Sequence, residues 1–90
     1  MFFALGYAMV VSVNGETFDR ITLNPAVMGG KPCIRGMRVT VGMIVGQVGD
    51  GVSVEELLSD YPYLEREDIM QALRYAAVLA QWREVALAEA

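Results

Sequence analysis

The sequence predicts a mainly α fold, in which a three-helix, helix-turn-helix core follows an N-terminal β hairpin or extended segment. Apolar residues in the second half recur with the period of an α-helix in three blocks separated by short turns, whereas the first half alternates apolar and polar residues around Asn14-Gly15. We expect residues 1–19 to form an N-terminal extension and first strand. Residues 20–90 then form a single helix-turn-helix-like domain with a long C-terminal helix.

The β segment is predicted from turn chemistry. Asn14-Gly15 readily takes the two positive φ values of a type I′ turn, so we expect a hairpin whose second strand is Glu16–Leu23. Residues 20–41 contain three glycines, two prolines and four of the seven Lys/Arg residues. This composition predicts brief extended pieces joined by tight, cationic turns, with Cys33–Ile34 and Arg38–Val41 placed beside the hairpin.

Start and stop signals define three helices. Thr40 is placed to cap the first, which ends at residues 49–51. Ser53 and Glu56 have the spacing of a capping box at the start of the second. The third is expected from about Glu65 to the C-terminus. Its main apolar stripe is predicted to be Ile69, Leu73, Ala76, Ala77 and Ala80, with a second apolar face of Met70, Trp82 and Leu87.

Composition argues against several kinds of chemistry. The chain has one cysteine and no histidine, so it has no internal disulfide, no zinc site of the usual Cys/His type and no histidine-activated nucleophile. Cys33 is predicted to be a small buried hydrophobe. We therefore expect no catalytic residues, no cofactor and no metal, and we place the protein in the reducing cytoplasm.

The charges are unevenly distributed. Residues 1–45 carry four cations against two carboxylates, and residues 46–90 carry three against nine, within a net charge of -4. A basic N-terminal half and an acidic C-terminal half predict different partners for the two halves. Alternatively, the basic residues pair with carboxylates of the acidic half. The candidate nucleic-acid-binding residues are Lys31, Arg35, Arg38, Arg66, Gln71 and Arg74.

The apolar N-terminal segment, residues 1–13, is too short to span a membrane and has no preceding Lys or Arg, so it is predicted to be neither a membrane span nor a secretory signal. Met9 is a second possible start, and we expect residues 1–8 to be a dispensable extension.

The apolar N-terminal strand and the long third helix offer more apolar surface than one small core can bury. We therefore expect a C2 homodimer, and the sequence leaves open whether strands are exchanged between subunits. The candidate partner-binding residues are Tyr75, Leu79, Trp82 and Leu87.

Three blocks of the sequence carry a resemblance: Gly29-Gly-Lys-Pro-Cys-Ile-Arg-Gly-Met-Arg38, then residues 50–64, then residues 67–76. Over residues 20–77 the chain resembles a widespread small bacterial family catalogued as a domain of unknown function, with a GGKPxIxGTR-type motif. Its members are regarded as candidate antitoxins and are often encoded beside a PIN-like nuclease toxin. The resemblance implies a homeodomain-like three-helix core with an N-terminal β segment.

Two positions depart from the family pattern. The family usually has Gly-Thr-Arg where this chain has Gly36-Met37-Arg38, and it usually has Thr where Glu65 stands. The roles of those hydroxyl groups therefore do not transfer, and the third helix lacks its usual cap.

Three functions are compatible with these observations. The first is an antitoxin of a type II pair that neutralises a PIN-like ribonuclease toxin by protein binding and has operator DNA as a second partner. The second is a stand-alone DNA-binding regulator with Arg66, Gln71 and Arg74 on a recognition helix. The third is a structural dimerisation domain without affinity for nucleic acid. An enzyme ranks last.

Overall fold

The computed structural model describes the backbone of residues 9–88 and the side chains of residues 11–82. Three strands, β1 (Met9–Val13), β2 (Glu16–Leu23) and β3 (Cys33–Ile34), form an antiparallel sheet in the order β1-β2-β3. Three helices follow, and their bounds are α1 (Val41–Gly49), α2 (Val54–Asp60) and α3 (Arg66–Ala88).

The predicted mainly α class is wrong. Residues 9–88 are 50% helical and 19% strand, and the strands form a three-stranded antiparallel sheet that shares its core with the helices. The class is therefore α+β. The proposed extension over residues 1–8 and the choice of start between Met1 and Met9 lie outside the described residues.

The hairpin and the turn after β3 follow local sequence rules. Asn14 and Gly15 have φ values of 56° and 81°, as a type I′ turn requires. After β3, the Ile34 N–H donates to the Val39 carbonyl at 2.9 Å, and Cys33 forms a β-bridge with Thr40. The predicted position of Cys33–Ile34 beside the hairpin is confirmed, whereas Val39 and Thr40 pair with Ile34 and Cys33 and not with the hairpin.

Two predicted helix starts are also confirmed. The Thr40 hydroxyl accepts from the Met43 N–H at 3.0 Å and caps α1. At α2, the Ser53 hydroxyl accepts from the Glu56 N–H, and the Glu56 carboxylate accepts from the Ser53 N–H, both at 3.1 Å. These bonds satisfy backbone donors that a helix start leaves without partners.

The core lies between the sheet and the helices. Phe18 and Ile21 of β2 pack with buried residues of all three helices.

The predicted apolar stripe of α3 is on the wrong face of the helix, because Leu73, Ala76 and Ala77 are only half-buried and Ala80 is exposed. The sheet selects a different face, since Phe18 packs edge-on against Tyr75 with ring centroids 5.3 Å apart. The apolar residues buried on that face are Ile69, Ala72, Tyr75 and Val78.

Among the described residues, no helix has the length and hydropathy needed to cross a membrane.

Candidate functional site

A fully buried carboxylate joins the sheet to α3. Asp68 lies in the first turn of α3 with none of its surface exposed. Arg35 donates to both carboxylate oxygens, from Nε to Oδ1 at 3.0 Å and from Nη2 to Oδ2 at 2.8 Å. Arg20 Nη1 donates to Oδ1 at 2.9 Å. Charge-assisted bonds of this bidentate kind are among the strongest in proteins.

Asp68 also completes the start of α3. The Glu65 N–H donates to Asp68 Oδ2 at 2.8 Å, so a side chain in the first turn reaches back to the residue before the helix. This is the acidic half of a capping box. It satisfies the Glu65 backbone donor at the start of α3.

The backbone places the two arginines beside each other. Because β2 and β3 are antiparallel with Ile21 opposite Ile34, Arg20 and Arg35 occupy adjacent positions, and the Arg35 N–H donates to the Arg20 carbonyl at 2.8 Å. Arg35 has a φ of 46°, so the chain turns there in the left-handed region. Its guanidinium also donates to the Tyr63 carbonyl at 3.0 Å.

The electrostatic environment favours the charged forms of Asp68, Arg20 and Arg35. Burial raises the pKa of Asp68, but the hydrogen bonds from Arg35, the Glu65 N–H and Arg20 outweigh it, so the pKa lies below its ordinary value of 3.8. Hydrogen bonds with Glu65 and Asp68 raise the pKa of Arg20. The bond with Asp68 likewise raises the pKa of Arg35.

Further polar contacts tie β2 to α3. The Arg20 N–H donates to Gln71 Oε1 at 2.6 Å, and Gln71 Nε2 donates to Asp19 Oδ1 at 2.9 Å. The β1–β2 register shifts between Val10 and Val11, whose partners are Thr22 and Phe18, so Arg20 has no register partner in β1. Its amide therefore bonds a side chain of α3 instead of the sheet.

Two more of the arginines predicted to bind nucleic acid, Arg66 and Arg74, also have partners within the chain. Arg74 donates from Nε and Nη2 to the two carboxylate oxygens of Glu16 at 2.9 and 3.0 Å. Arg66 Nη2 donates to Glu55 at 2.8 Å. Of the six predicted nucleic-acid-binding residues, four thus have intramolecular bonds: Arg35, Arg66, Gln71 and Arg74.

Lys31 and Arg38 differ from these four. Both are exposed, and neither makes an ion pair with any residue between positions 11 and 82. One cavity of about 360 Å³ is lined by Arg38, Met43 and Tyr63, and another of about 420 Å³ is lined by Lys31 and Met43. We call Lys31, Arg38, Met43 and Tyr63 together the Met43 surface.

The predicted partner-binding residues are divided between core and surface. Tyr75 is buried against Phe18 and belongs to the core. Leu79 and Trp82 of α3 are exposed, Trp82 by 61%. The side chain of Leu87 lies outside the described residues.

Cys33 is buried, as predicted. Burial raises the pKa of its thiol, an effect that nearby Arg38 only partly offsets. A thiol with a raised pKa is a poor nucleophile. Within the part of the chain that the structure describes, no group of acidic, cysteine or histidine side chains is arranged to hold a metal ion.

Sequence reasoning missed Asp68, Arg20 and Tyr63 as site residues. A signal for Asp68 was present, since an acidic residue three positions after a helix start matches the second half of a capping box. Nothing local indicated its burial, because that depends on Arg20 and Arg35, which are 48 and 33 residues away in the chain.

The fold and this geometry define a small α+β domain in which a helix is fastened to a three-stranded sheet by a buried carboxylate. Residues 21–76 match the family model described as Protein of unknown function (DUF433). The chain belongs to the DUF433 family. This confirms the family of unknown function expected from the sequence, and the antitoxin role stays a prediction.

Two relatives give the extent of the similarity. The uncharacterized protein y4eO of Sinorhizobium fredii is 41% identical over 56 residues, which are 62% of this chain. The matching segment spans only 25% of that protein. A crystal structure of a DUF433 member from Anabaena variabilis is similar with a TM-score of 0.65 at 35% identity, over 74% of this chain and 68% of that one.

Asp68→Asn should destabilise the fold by about 3 kcal/mol at neutral pH, because it leaves two arginines facing a neutral side chain. The pKa of Asp68 is lower in the folded than in the unfolded chain, so its contribution is complete above pH 3.8 and is lost as the pH falls through the folded-state pKa. The gap between wild type and variant in urea unfolding free energy should therefore shrink at acid pH.

The matched control is Glu55→Gln, which breaks the exposed pair with Arg66. It should change stability little, because exposed pairs are screened by water and salt. An Asp68→Asn protein as stable as the Glu55→Gln protein would contradict the role assigned to the buried carboxylate.

Proposed function

We propose that this domain works by binding macromolecules, as the antitoxin of a type II pair that neutralises a PIN-like ribonuclease toxin. The observation that carries the proposal is the distribution of charged side chains that have no ion pair within the described residues. Arg20, Arg35, Arg66 and Arg74 all have carboxylate partners inside the chain. Among the described residues, the cations without an ion pair are Lys31 and Arg38 of the Met43 surface, and three of the carboxylates without one, Asp50, Glu56 and Asp60, lie in or beside α2.

The acidic side is centred on α2. This helix has no Lys or Arg, and its carboxylates Glu55, Glu56 and Asp60 are exposed, as is Asp50 in the preceding loop. Glu55 alone among these four has an arginine partner within residues 11–82. Exposed carboxylates of this density are complementary to the cationic cleft of a ribonuclease, where they occupy positions that RNA phosphates would take.

Exposed apolar residues of α3 offer a second surface for contact with a protein partner. Leu79 and Trp82 are exposed by 37% and 61%, and Trp82 lines an open cavity of about 500 Å³ beside the Glu16–Arg74 pair. Exposed tryptophan is enriched among residues that dominate binding energy at interfaces. A homodimer remains part of the proposal, because it would duplicate both the acidic and the basic surfaces. The cytoplasm is the compartment in which such a pair acts.

The proposal is tested with the product of the gene adjacent to this one in the native host. That product should copurify with the chain, and its ribonuclease activity should fall in proportion to added chain.

Replacing Asp50 and Asp60 by Asn should slow association with that product about tenfold, because unpaired charges steer the encounter of two proteins. Asp19→Asn with Glu67→Gln removes the same net charge elsewhere and should have a smaller effect. A neighbouring gene without a nuclease product and a chain without a protein partner would refute the proposal.

A stand-alone DNA-binding regulator is the second candidate. Gln71 and Arg74, which would read DNA from α3, are bonded to Asp19 and Glu16 of β2. These bonds favour contact through Lys31 and Arg38 instead. In gel-shift titrations with operator duplex, Arg38→Ala should weaken binding and reduce its salt dependence, whereas Arg74→Ala should not. The opposite pattern would favour readout by α3, and binding by neither would favour a structural dimerisation domain.

A further inference from the structure

The two cavities of the Met43 surface are neighbours, because Met43 lines both of them. Arg38 lines the first and Lys31 the second, so the two cations flank a common apolar side chain. The first cavity adds the ring of Tyr63, which is 52% exposed. Cationic, apolar and aromatic groups thus share one open surface.

The aromatic part of this surface is held in place by the buried carboxylate. Arg35, fixed by Asp68, donates to the Tyr63 carbonyl at 3.0 Å. The Tyr63 ring meets the Tyr61 ring edge-on, with centroids 6.1 Å apart and an interplanar angle of 74°. A ring fixed in this way loses little conformational entropy when a ligand stacks on it.

The cationic part is also fixed by backbone bonds. Arg38 lies in the turn between β3 and Val39, which is closed by bonds from the Met37 N–H to the Ile34 carbonyl at 2.8 Å and from the Ile34 N–H to the Val39 carbonyl at 2.9 Å. Arg38 makes no ion pair with residues 11–82, so its guanidinium is available to a ligand.

The chemistry of these groups selects the ligand. Two unpaired cations are complementary to phosphates, and an exposed ring beside a thioether offers a platform for the flat face of a base. In a duplex the base faces are covered by their neighbours, and only base edges are accessible in the grooves. A duplex would therefore use the cations and leave the Tyr63 ring without a stacking partner.

We propose that the Met43 surface binds single-stranded nucleic acid, with a base stacked on Tyr63 and the flanking phosphates at Lys31 and Arg38. This inference rests on the nucleic-acid contact through Lys31 and Arg38 in the second candidate function and narrows it to an unpaired strand. It does not depend on which toxin the acidic surface binds.

The test is fluorescence anisotropy of the full chain with labelled oligonucleotides of about twelve residues, as RNA, as single-stranded DNA and as duplex DNA. Both single strands should bind more tightly than the duplex. Because two phosphates are contacted, the logarithm of the association constant should fall with the logarithm of salt concentration with a slope of about -1.4. Arg38→Ala should reduce that slope by about 0.7.

Tyr63 provides the specific variants. Tyr63→Ala should weaken single-strand binding at least about fivefold, because the stacking platform is lost. Tyr63→Phe keeps the ring and should bind like wild type. Arg74→Ala removes a cation from another cavity and is the matched control. Thermal unfolding should be similar for all four proteins, since Tyr63 and Arg74 are exposed.

Three outcomes would overturn the inference. Equal binding by Tyr63→Ala and wild type would remove the stacking role. Tighter binding of duplex than of single strands would be compatible with the operator contact of the second candidate function but would refute selection of an unpaired strand. Loss of toxin binding in Tyr63→Ala, without oligonucleotide binding by wild type at about 50 mM salt, would make this surface a protein interface.

Discussion

The bonding of Asp68 is the constraint on which the rest of this structure depends. A buried carboxylate is costly unless its charge is paired and its oxygens are bonded, and here two arginines and a backbone N–H meet both conditions. The same side chain begins α3, joins that helix to β2 and fixes the turn after β3. One residue therefore sets the position of the long helix relative to the sheet.

This arrangement also decides which charges remain for partners. Arg20 and Arg35 pair with Asp68, and Arg74 pairs with Glu16. Two of these three cations, Arg35 and Arg74, are residues that the sequence predicts to bind nucleic acid. Lys31 and Arg38 are left on the Met43 surface. The binding properties we propose follow from this division, because the domain has opposite unpaired charge on different parts of its described surface.

Features governed by neighbouring residues were predictable from the sequence. The Asn14-Gly15 turn, the Thr40 cap and the Ser53–Glu56 capping box each depend on residues within a few positions. Cys33–Ile34 was placed beside the hairpin, but the α+β class was missed, because the sheet shares one core with the helices through contacts between residues distant in the chain. The buried face of α3 was missed for a similar reason, since the contact of Tyr75 with Phe18 is set by how the sheet approaches the helix. The candidate site shows the same limit: Lys31 and Arg38 are exposed as expected, but the pairing of Arg35 and Arg74 depends on residues distant in the chain.

The Arg35 guanidinium donates its Nε–H to Asp68 Oδ1 at 3.0 Å, and this bond can be measured directly. Nuclear magnetic resonance can measure how fast the Nε–H proton of each arginine exchanges with water. Arg38 serves as the internal reference, because it is exposed and makes no ion pair with residues 11–82. The account predicts that the Arg35 proton exchanges much more slowly than the Arg38 proton, and that Asp68→Asn abolishes the difference. Equal exchange at the two arginines in the wild-type protein would contradict it.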